Sequence, residues 1–118
     1  MKYKVDHPLD LPADVKEWWD VRVSWESSKR HFFSSFEEAR EYSANRLDKL
    51  LKHPTAGPKV NDKKPTDLLV EWSDVKGNTY NLGNTKCCDV LVGSVCSRDR
   101  ASTVSGHFNC VVAHYYKS

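Results

Sequence analysis

The sequence lacks the features that identify membrane proteins, secreted proteins and several common enzyme families. No hydrophobic run approaches the roughly 18 residues that a membrane-spanning helix needs. The first residues, Met1-Lys2-Tyr3-Lys4-Val5, include no apolar stretch typical of a signal peptide. Glycine-rich phosphate loops, HExxH motifs and GxSxG motifs are also absent. We therefore expect no membrane segment, no signal peptide and no cofactor.

A strong charge of either sign is also missing. The 18 lysines and arginines nearly balance the 16 aspartates and glutamates, and the formal net charge is +2. This excess is too small to predict nucleic-acid binding, and the chain is far from the acidity of a DNA mimic. Four cysteines without a secretion signal are expected to be reduced thiols, which places the protein in the cytoplasm.

The chain does contain enough apolar material for one core. Its 118 residues include four tryptophans, five tyrosines and four phenylalanines, which bury large areas. We expect a single domain over residues 1–118, with an extended lead-in over residues 1–17 and a mobile, polar loop over residues 54–66. A short helical turn is predicted within the lead-in, at residues 13–18.

One long helix is predicted at about residues 35–52. Ser35 and Glu38 form a capping box, which satisfies two amide donors at the start of a helix. His53-Pro54 ends it, because the residue before a proline avoids helical geometry. The stripe that must lie on a sheet consists of Phe36, Ala39, Ser43, Leu47, Leu50 and Leu51.

Most of the remaining chain has the alternation typical of strands. In the first of them, Val21, Val23 and Trp25 are predicted to face the core, and Asp20 and Arg22 the solvent. Gly77 is predicted to join two later strands in a hairpin, and a last hairpin is expected to end the chain. The predicted strands lie at residues 19–26, 30–33, 68–72, 79–82, 89–97 and 103–116, and in the final strand one face holds Phe108, Cys110, Val112, His114 and Tyr116.

This order of elements predicts an α+β fold. We expect an antiparallel sheet of about five or six strands with the one main helix packed across one face.

Cysteines and histidines near the C-terminus raise the question of a zinc site. Adjacent strand residues such as Cys87 and Cys88 point to opposite faces, and a structural zinc site needs closely spaced pairs. We therefore expect no metal and assign the thiols to core packing. The residues considered were Cys87, Cys88, Cys96, His107, Cys110 and His114.

A second chemical hypothesis is a cysteine nucleophile. The segment Asn81-Leu82-Gly83-Asn84-Thr85, with Cys87 two positions after it, is similar to the Cys box of ubiquitin-specific proteases. The segment Ser105-Gly106-His107-Phe108 is similar to their His box. Lys86 lies between this segment and Cys87, so the cysteine is one position further along than in the family's Cys box. A strand-like run at residues 89–92 follows where that family begins a helix. We treat the match as chance, and a small hydrolase or nuclease with a Cys/His site stays an alternative.

Basic residues between positions 29 and 64 raise a further alternative, nucleic-acid binding. Phe32 and Phe33 would stack on bases beside this basic middle segment. The competing explanation is that these basic residues lie on a solvated face of the helix, where their charges complement the helix dipole.

Exposed aromatic residues carry the favoured hypothesis. Trp18 and Trp19 cannot both be buried on one face of a strand, because neighbouring residues point to opposite faces. The same holds for Tyr115 and Tyr116, so one ring of each pair is expected to be partly exposed. Tryptophan and tyrosine are enriched in binding hot spots. The alternative is that one ring of each pair packs against the N-terminal segment. The predicted partner-binding residues are Trp18, Trp19, Lys59, Lys63, Lys64, Tyr115 and Tyr116.

The sequence therefore predicts a small, cytoplasmic, non-enzymatic protein-binding domain. We expect steric inhibition or sequestration of a protein partner, as in immunity proteins and phage-encoded anti-defence or anti-CRISPR inhibitors. The oligomeric state is not predicted.

Overall fold

The computed structural model describes residues 1–5, 7–26, 30–52, 68–75, 79–97 and 108–117. In these residues one α-helix packs on a seven-stranded antiparallel sheet, which confirms the predicted α+β class. The helix α1 spans Phe36–Lys52. The strands are β1 (Lys2–Tyr3), β2 (Glu17–Val23), β3 (Arg30–Phe33), β4 (Leu68–Asp74), β5 (Tyr80–Leu82), β6 (Thr85–Ser97) and β7 (Asn109–Lys117).

The strands follow the spatial order β1-β3-β2-β7-β6-β4. Six of the seven correspond to predicted strands, and the additional one is β1, which pairs with β3. The long strand β6 pairs with β7 along one edge, as the predicted final hairpin requires. Its other edge is shared, because β5 pairs with the first residues of β6 and β4 with the last seven.

The pairing of β5 corrects the predicted hairpin between residues 68–72 and 79–82. Strand β5 pairs with β6, where Leu82 lies opposite Thr85 across the two-residue turn Gly83-Asn84. Gly83 has a φ of 64°, a left-handed conformation that glycine adopts without a steric penalty. Gly-Asn between two strand-like runs is itself a hairpin signal, so the correct pairing was readable from the sequence.

Helix α1 begins and ends where the sequence predicts. The Ser35 hydroxyl accepts a hydrogen bond from the Glu38 amide at 3.3 Å, which is one half of the predicted capping box. The Glu38 carboxylate accepts from the Met1 amino group instead of completing that box. No helix in the described ranges is long and apolar enough to cross a membrane.

The core between α1 and the sheet contains the predicted apolar stripe except Leu50. Ala39, Ser43 and Leu47 are buried, whereas Phe36 and Leu51 are partly buried. Side chains from five strands meet them, including Val21, Val23, Phe33, Leu91, Val95, Cys110 and Val112. Cys110 and Val112 belong to the face predicted for the last strand.

The opposite face of the sheet is covered as well, by residues near the N-terminus. Trp18, Phe32, Cys87, Ala113 and Tyr115 form a second buried cluster with Leu11, and Tyr3, Val5 and Val15 pack against it. The N-terminal segment between β1 and β2, here residues 4–5 and 7–16, therefore acts as a second layer. Asp20 is 0% exposed beneath it, so its predicted solvent-facing position is wrong.

The lead-in follows a different course from the predicted one. Its short helical turn is a 3₁₀ turn at Pro8–Asp10, not at residues 13–18, where β2 already begins at Glu17. Pro8 supports the start of this turn through its fixed φ, and the His7 Nδ1 atom accepts from the Leu9 amide at 3.1 Å. The predicted loop at residues 54–66 lies outside the described residues.

Candidate functional site

Strands β2 and β7 bring the two predicted aromatic pairs together. Trp18 lies directly opposite Tyr115, and Trp19 lies opposite His114. Since neighbouring strand residues point to opposite faces, each tryptophan meets its partner on a different side of the sheet. The two sides differ in exposure and therefore in what they offer to a ligand or partner.

On the side that carries α1, three neighbouring rings form a continuous row, here called the aromatic row, in which the first pair is stacked and the second is tilted by 33°: Trp19, His114 and Tyr116. The Trp19 and His114 ring centroids are 4.7 Å apart with an interplanar angle of 11°. The His114 and Tyr116 centroids are 5.0 Å apart. All three side chains are half-buried, and 24% of the His114 side chain is exposed.

Charged residues flank the aromatic row. Tyr116 lies between Glu17 of β2 and Lys86 of β6, and His114 lies beside Cys88. The Glu17 carboxylate is 3.7 Å from the His114 Nε2 atom. Partly exposed rings with a charged rim resemble the composition of protein–protein interfaces.

On the other side, Trp18 and Tyr115 stack with centroids 5.5 Å apart and nearly parallel planes. They are 3% and 7% exposed, respectively, because the N-terminal segment covers them. The alternative that one ring of each pair packs against this segment is therefore confirmed. In the folded domain, Trp19 and Tyr116 are therefore more exposed than Trp18 and Tyr115.

A polar cluster lies beside the Trp18–Tyr115 stack. The Arg30 guanidinium donates to the Asp20 Oδ2 atom from Nε at 2.8 Å and to the Tyr115 hydroxyl from Nη2 at 2.7 Å. The Nη2 atom is also 2.6 Å from Asp20 Oδ2. Arg22 donates to Asp89 and its Nε atom lies 3.9 Å from the second Asp20 oxygen.

Burial dominates the electrostatics of this cluster. It raises the pKa of Asp20, although Arg30 and Arg22 oppose that shift. Burial also raises the pKa of the Tyr115 hydroxyl and of the Cys87 thiol. Both groups therefore stay protonated near neutral pH, and Cys87 is not poised as a thiolate nucleophile.

The described thiols are separated from one another. Cys87 is buried against the N-terminal segment, Cys88 is half-buried on the helix side, and Cys110 is buried in the helix-side core, all as free cysteines. Burial raises the pKa of Cys110 to about 12. In the described ranges, no three His, Cys, Asp or Glu side chains group as a metal site would require. His107 lies outside these ranges.

Part of the basic middle segment is engaged within the domain. Phe32 and Phe33 are 0% and 4% exposed, so their predicted role in stacking on bases is wrong. Three of the basic residues pair with acids: Arg30 with Asp20, Arg46 with Glu26, and Lys52 with Asp48. The predicted contact residues Lys59, Lys63 and Lys64 lie outside the described residues.

Comparison of the chain with known protein families, curated proteins and solved structures finds no match.

Proposed function

We propose that this domain binds a protein partner through the aromatic row and inhibits or sequesters that partner sterically. The observation that carries the proposal is the row of contacting, half-buried rings of Trp19, His114 and Tyr116 on the sheet. Stacked rings lose little conformational entropy when a partner covers them, because they are already held by each other. Such preorganised aromatic residues are the residue types that dominate binding energy in interfaces.

The surroundings of the row support a protein partner over other ligands. The rings lie on a sheet face instead of in a deep pocket, with Glu17 on one side and Lys86 on the other. Charges of both signs at the rim favour a partner surface of mixed charge. A polyanion such as nucleic acid would instead require a continuous basic surface.

We further propose a cytoplasmic inhibitor of the immunity-protein or phage anti-defence type, including anti-CRISPR proteins. Support comes from the free thiols Cys87, Cys88 and Cys110 and from a surface that offers shape and aromatic contacts. Proteins of this kind act by covering a functional surface and need no catalytic group of their own.

Affinity capture with a matched pair of variants tests the proposal. Tyr116→Ala removes a ring of the aromatic row, and Tyr80→Ala removes a tyrosine that is 60% exposed on β5. The tagged wild-type protein and both variants are used as baits in host-cell lysate, and the affinity of any captured protein is then measured with purified components. Thermal melting verifies that both variants are folded.

We expect a stoichiometric protein partner that Tyr80→Ala retains and that Tyr116→Ala binds at least about tenfold more weakly. Equal affinity of both variants would contradict the proposed surface. Capture of nucleic acid that salt releases, without a protein, would contradict protein binding and support the nucleic-acid alternative.

A further inference from the structure

A cleft of about 570 Å³ lies between the N-terminal segment and the face of the sheet opposite α1. Its walls include Leu9 and Leu11 from the N-terminal segment, Trp18 from β2, and Tyr115 and Lys117 from β7. This volume lies within the range of pockets that bind small molecules. The aromatic row is on the other face, so this cleft is a separate feature.

The charged groups that line the cleft have one sign. Arg30 and Lys117 are present, and the lining residues that the structure describes include no carboxylate. Asp20 lies behind Arg30, fully buried, and balances the charge of that guanidinium. Among the described residues, Lys117 is then the uncompensated cation of the cleft, which favours a ligand with a single negative charge.

Hydrogen-bond donors add to this preference. The Nε and Nη2 atoms of Arg30 hold Asp20 and Tyr115, whereas Nη1 makes no hydrogen bond to any described residue. A guanidinium fixed from two sides loses little freedom when a ligand binds its remaining edge. His7 accepts the Leu9 amide at Nδ1, so the neutral ring carries its proton on Nε2 and offers a further donor.

Apolar surface completes the site. Leu9 is 86% exposed at the wall of the cleft, where it offers apolar surface to a ligand. The flat stack of Trp18 and Tyr115 lies next to it. A ligand with an apolar or aromatic body would cover Leu9 and lie against these rings.

We propose that this cleft binds a small amphipathic monocarboxylate. Arg30 and Lys117 hold the carboxylate, and Leu9, Leu11 and Trp18 enclose the apolar body. The site is independent of the protein-binding surface, because Trp19, His114 and Tyr116 point to the opposite side of the sheet.

Titration followed by heteronuclear NMR tests this proposal on the full chain. The probes are naphthylacetate and its neutral analogue naphthylacetamide, which share the apolar body and differ in the charged group. The Trp18 indole N–H signal reports on the cleft, and the Trp19 indole signal reports on the other face. Lys117→Gln removes the uncompensated cation, and Lys86→Gln is the matched control beside Tyr116.

We expect naphthylacetate to shift the Trp18 signal in a saturable manner, with a dissociation constant below about 1 mM. The acid should bind at least about tenfold tighter than the amide, and Lys117→Gln should remove most of that difference while Lys86→Gln preserves it. Leu9→Ser should weaken both probes. No saturable shift at millimolar concentration, equal binding of acid and amide, or a response at Trp19 alone would overturn the proposal.

Discussion

The Arg30 guanidinium donates a hydrogen bond to the Tyr115 hydroxyl at 2.7 Å and thereby joins β3 to β7 across the strand between them. The intervening strand β2 supplies Asp20, whose carboxylate accepts from the same guanidinium. Three adjacent strands are thus fixed to one another by side chains as well as by their backbone ladders. The arrangement also holds Arg30 at the wall of the cleft.

Replacement of Asp20 by alanine should destabilise the domain strongly. The change leaves the Arg30 guanidinium without its carboxylate while only 30% of that side chain is exposed. We expect a loss of about 2–4 kcal/mol in the free energy of unfolding, below the full value for a completely buried ion pair because of that exposure. Urea denaturation measures it, with the exposed Asp10→Ala as a control that changes stability by less than about 0.5 kcal/mol. Equal losses in the two variants would contradict a structural role for the pair.

Tyr115→Phe should have a smaller effect. It removes the hydroxyl that accepts from Arg30 but keeps the ring that stacks on Trp18. A hydrogen bond to a charged group of this kind contributes about 1–2 kcal/mol to the free energy of unfolding. The same denaturation experiment checks the value, and Tyr80→Phe, at a 60% exposed tyrosine, is the matched control. A Tyr115→Phe variant as stable as this control would show that the hydroxyl contributes nothing.

The sequence predicted the helix-side half of the molecule well because strong periodic signals specify it. The apolar stripe of α1 and the alternation in β2 and β7 both identify the faces that meet there. The opposite layer follows from the sequence only as an alternative, because Leu11, Val5 and Val15 are scattered over an irregular segment and have no period to detect. Without that layer, Asp20 and Trp18 appeared free to face solvent.

The candidate site was predictable only in part for the same reason. Residue type predicts Trp19 and Tyr116 as partner-binding residues. His114, the ring between them, is a functional candidate in the sequence only as a zinc ligand. Its place in the aromatic row depends on the register of β2 against β7. Strand register across a large sequence separation follows from the packing of whole layers, and local sequence signals do not determine it.

Gly93→Ala should disrupt the contact between the sheet and α1. A Cβ atom at this position of β6 would lie 2.5 Å from a ring carbon of Trp72 and 2.8 Å from the Leu47 Cδ1 atom. Such overpacking costs about 1–3 kcal/mol of the free energy of unfolding. The second substitution Trp72→Leu frees space, so the double variant should lose less stability than the sum of the two single variants. Additive losses would contradict the steric explanation.

Thiol alkylation should distinguish the described cysteines. Cys88 is half-buried and accessible beside the aromatic row, whereas Cys110 is 0% exposed and burial raises its pKa to about 12. Iodoacetamide at neutral pH should therefore label Cys88 in the native state and Cys110 only when the domain unfolds. Tandem mass spectrometry of a Cys96→Ser variant measures labelling at each position. Equal rates at Cys88 and Cys110 in the folded protein would contradict the described burial.

Alkaline pH should reduce stability through Cys110. Burial raises its pKa from an ordinary value of 9.0 to about 12, so between these values the unfolded chain loses a proton that the native domain retains. The unfolded state then binds fewer protons, and the free energy of unfolding falls as pH rises, whereas below pH 9 the group has no effect.

The expected contribution of Cys110 is about 1 kcal/mol per pH unit. Urea denaturation at pH values across this window should show a shallower decline for Cys110→Ala than for the wild type. Val112→Ala truncates a neighbouring side chain that is also 0% exposed, in the same core, but removes no titratable group. It should lower stability at every pH and keep the wild-type slope, because the slope reports protons and not packing. If Cys110→Ala also keeps the wild-type slope, the thiol is not the group that resists ionisation.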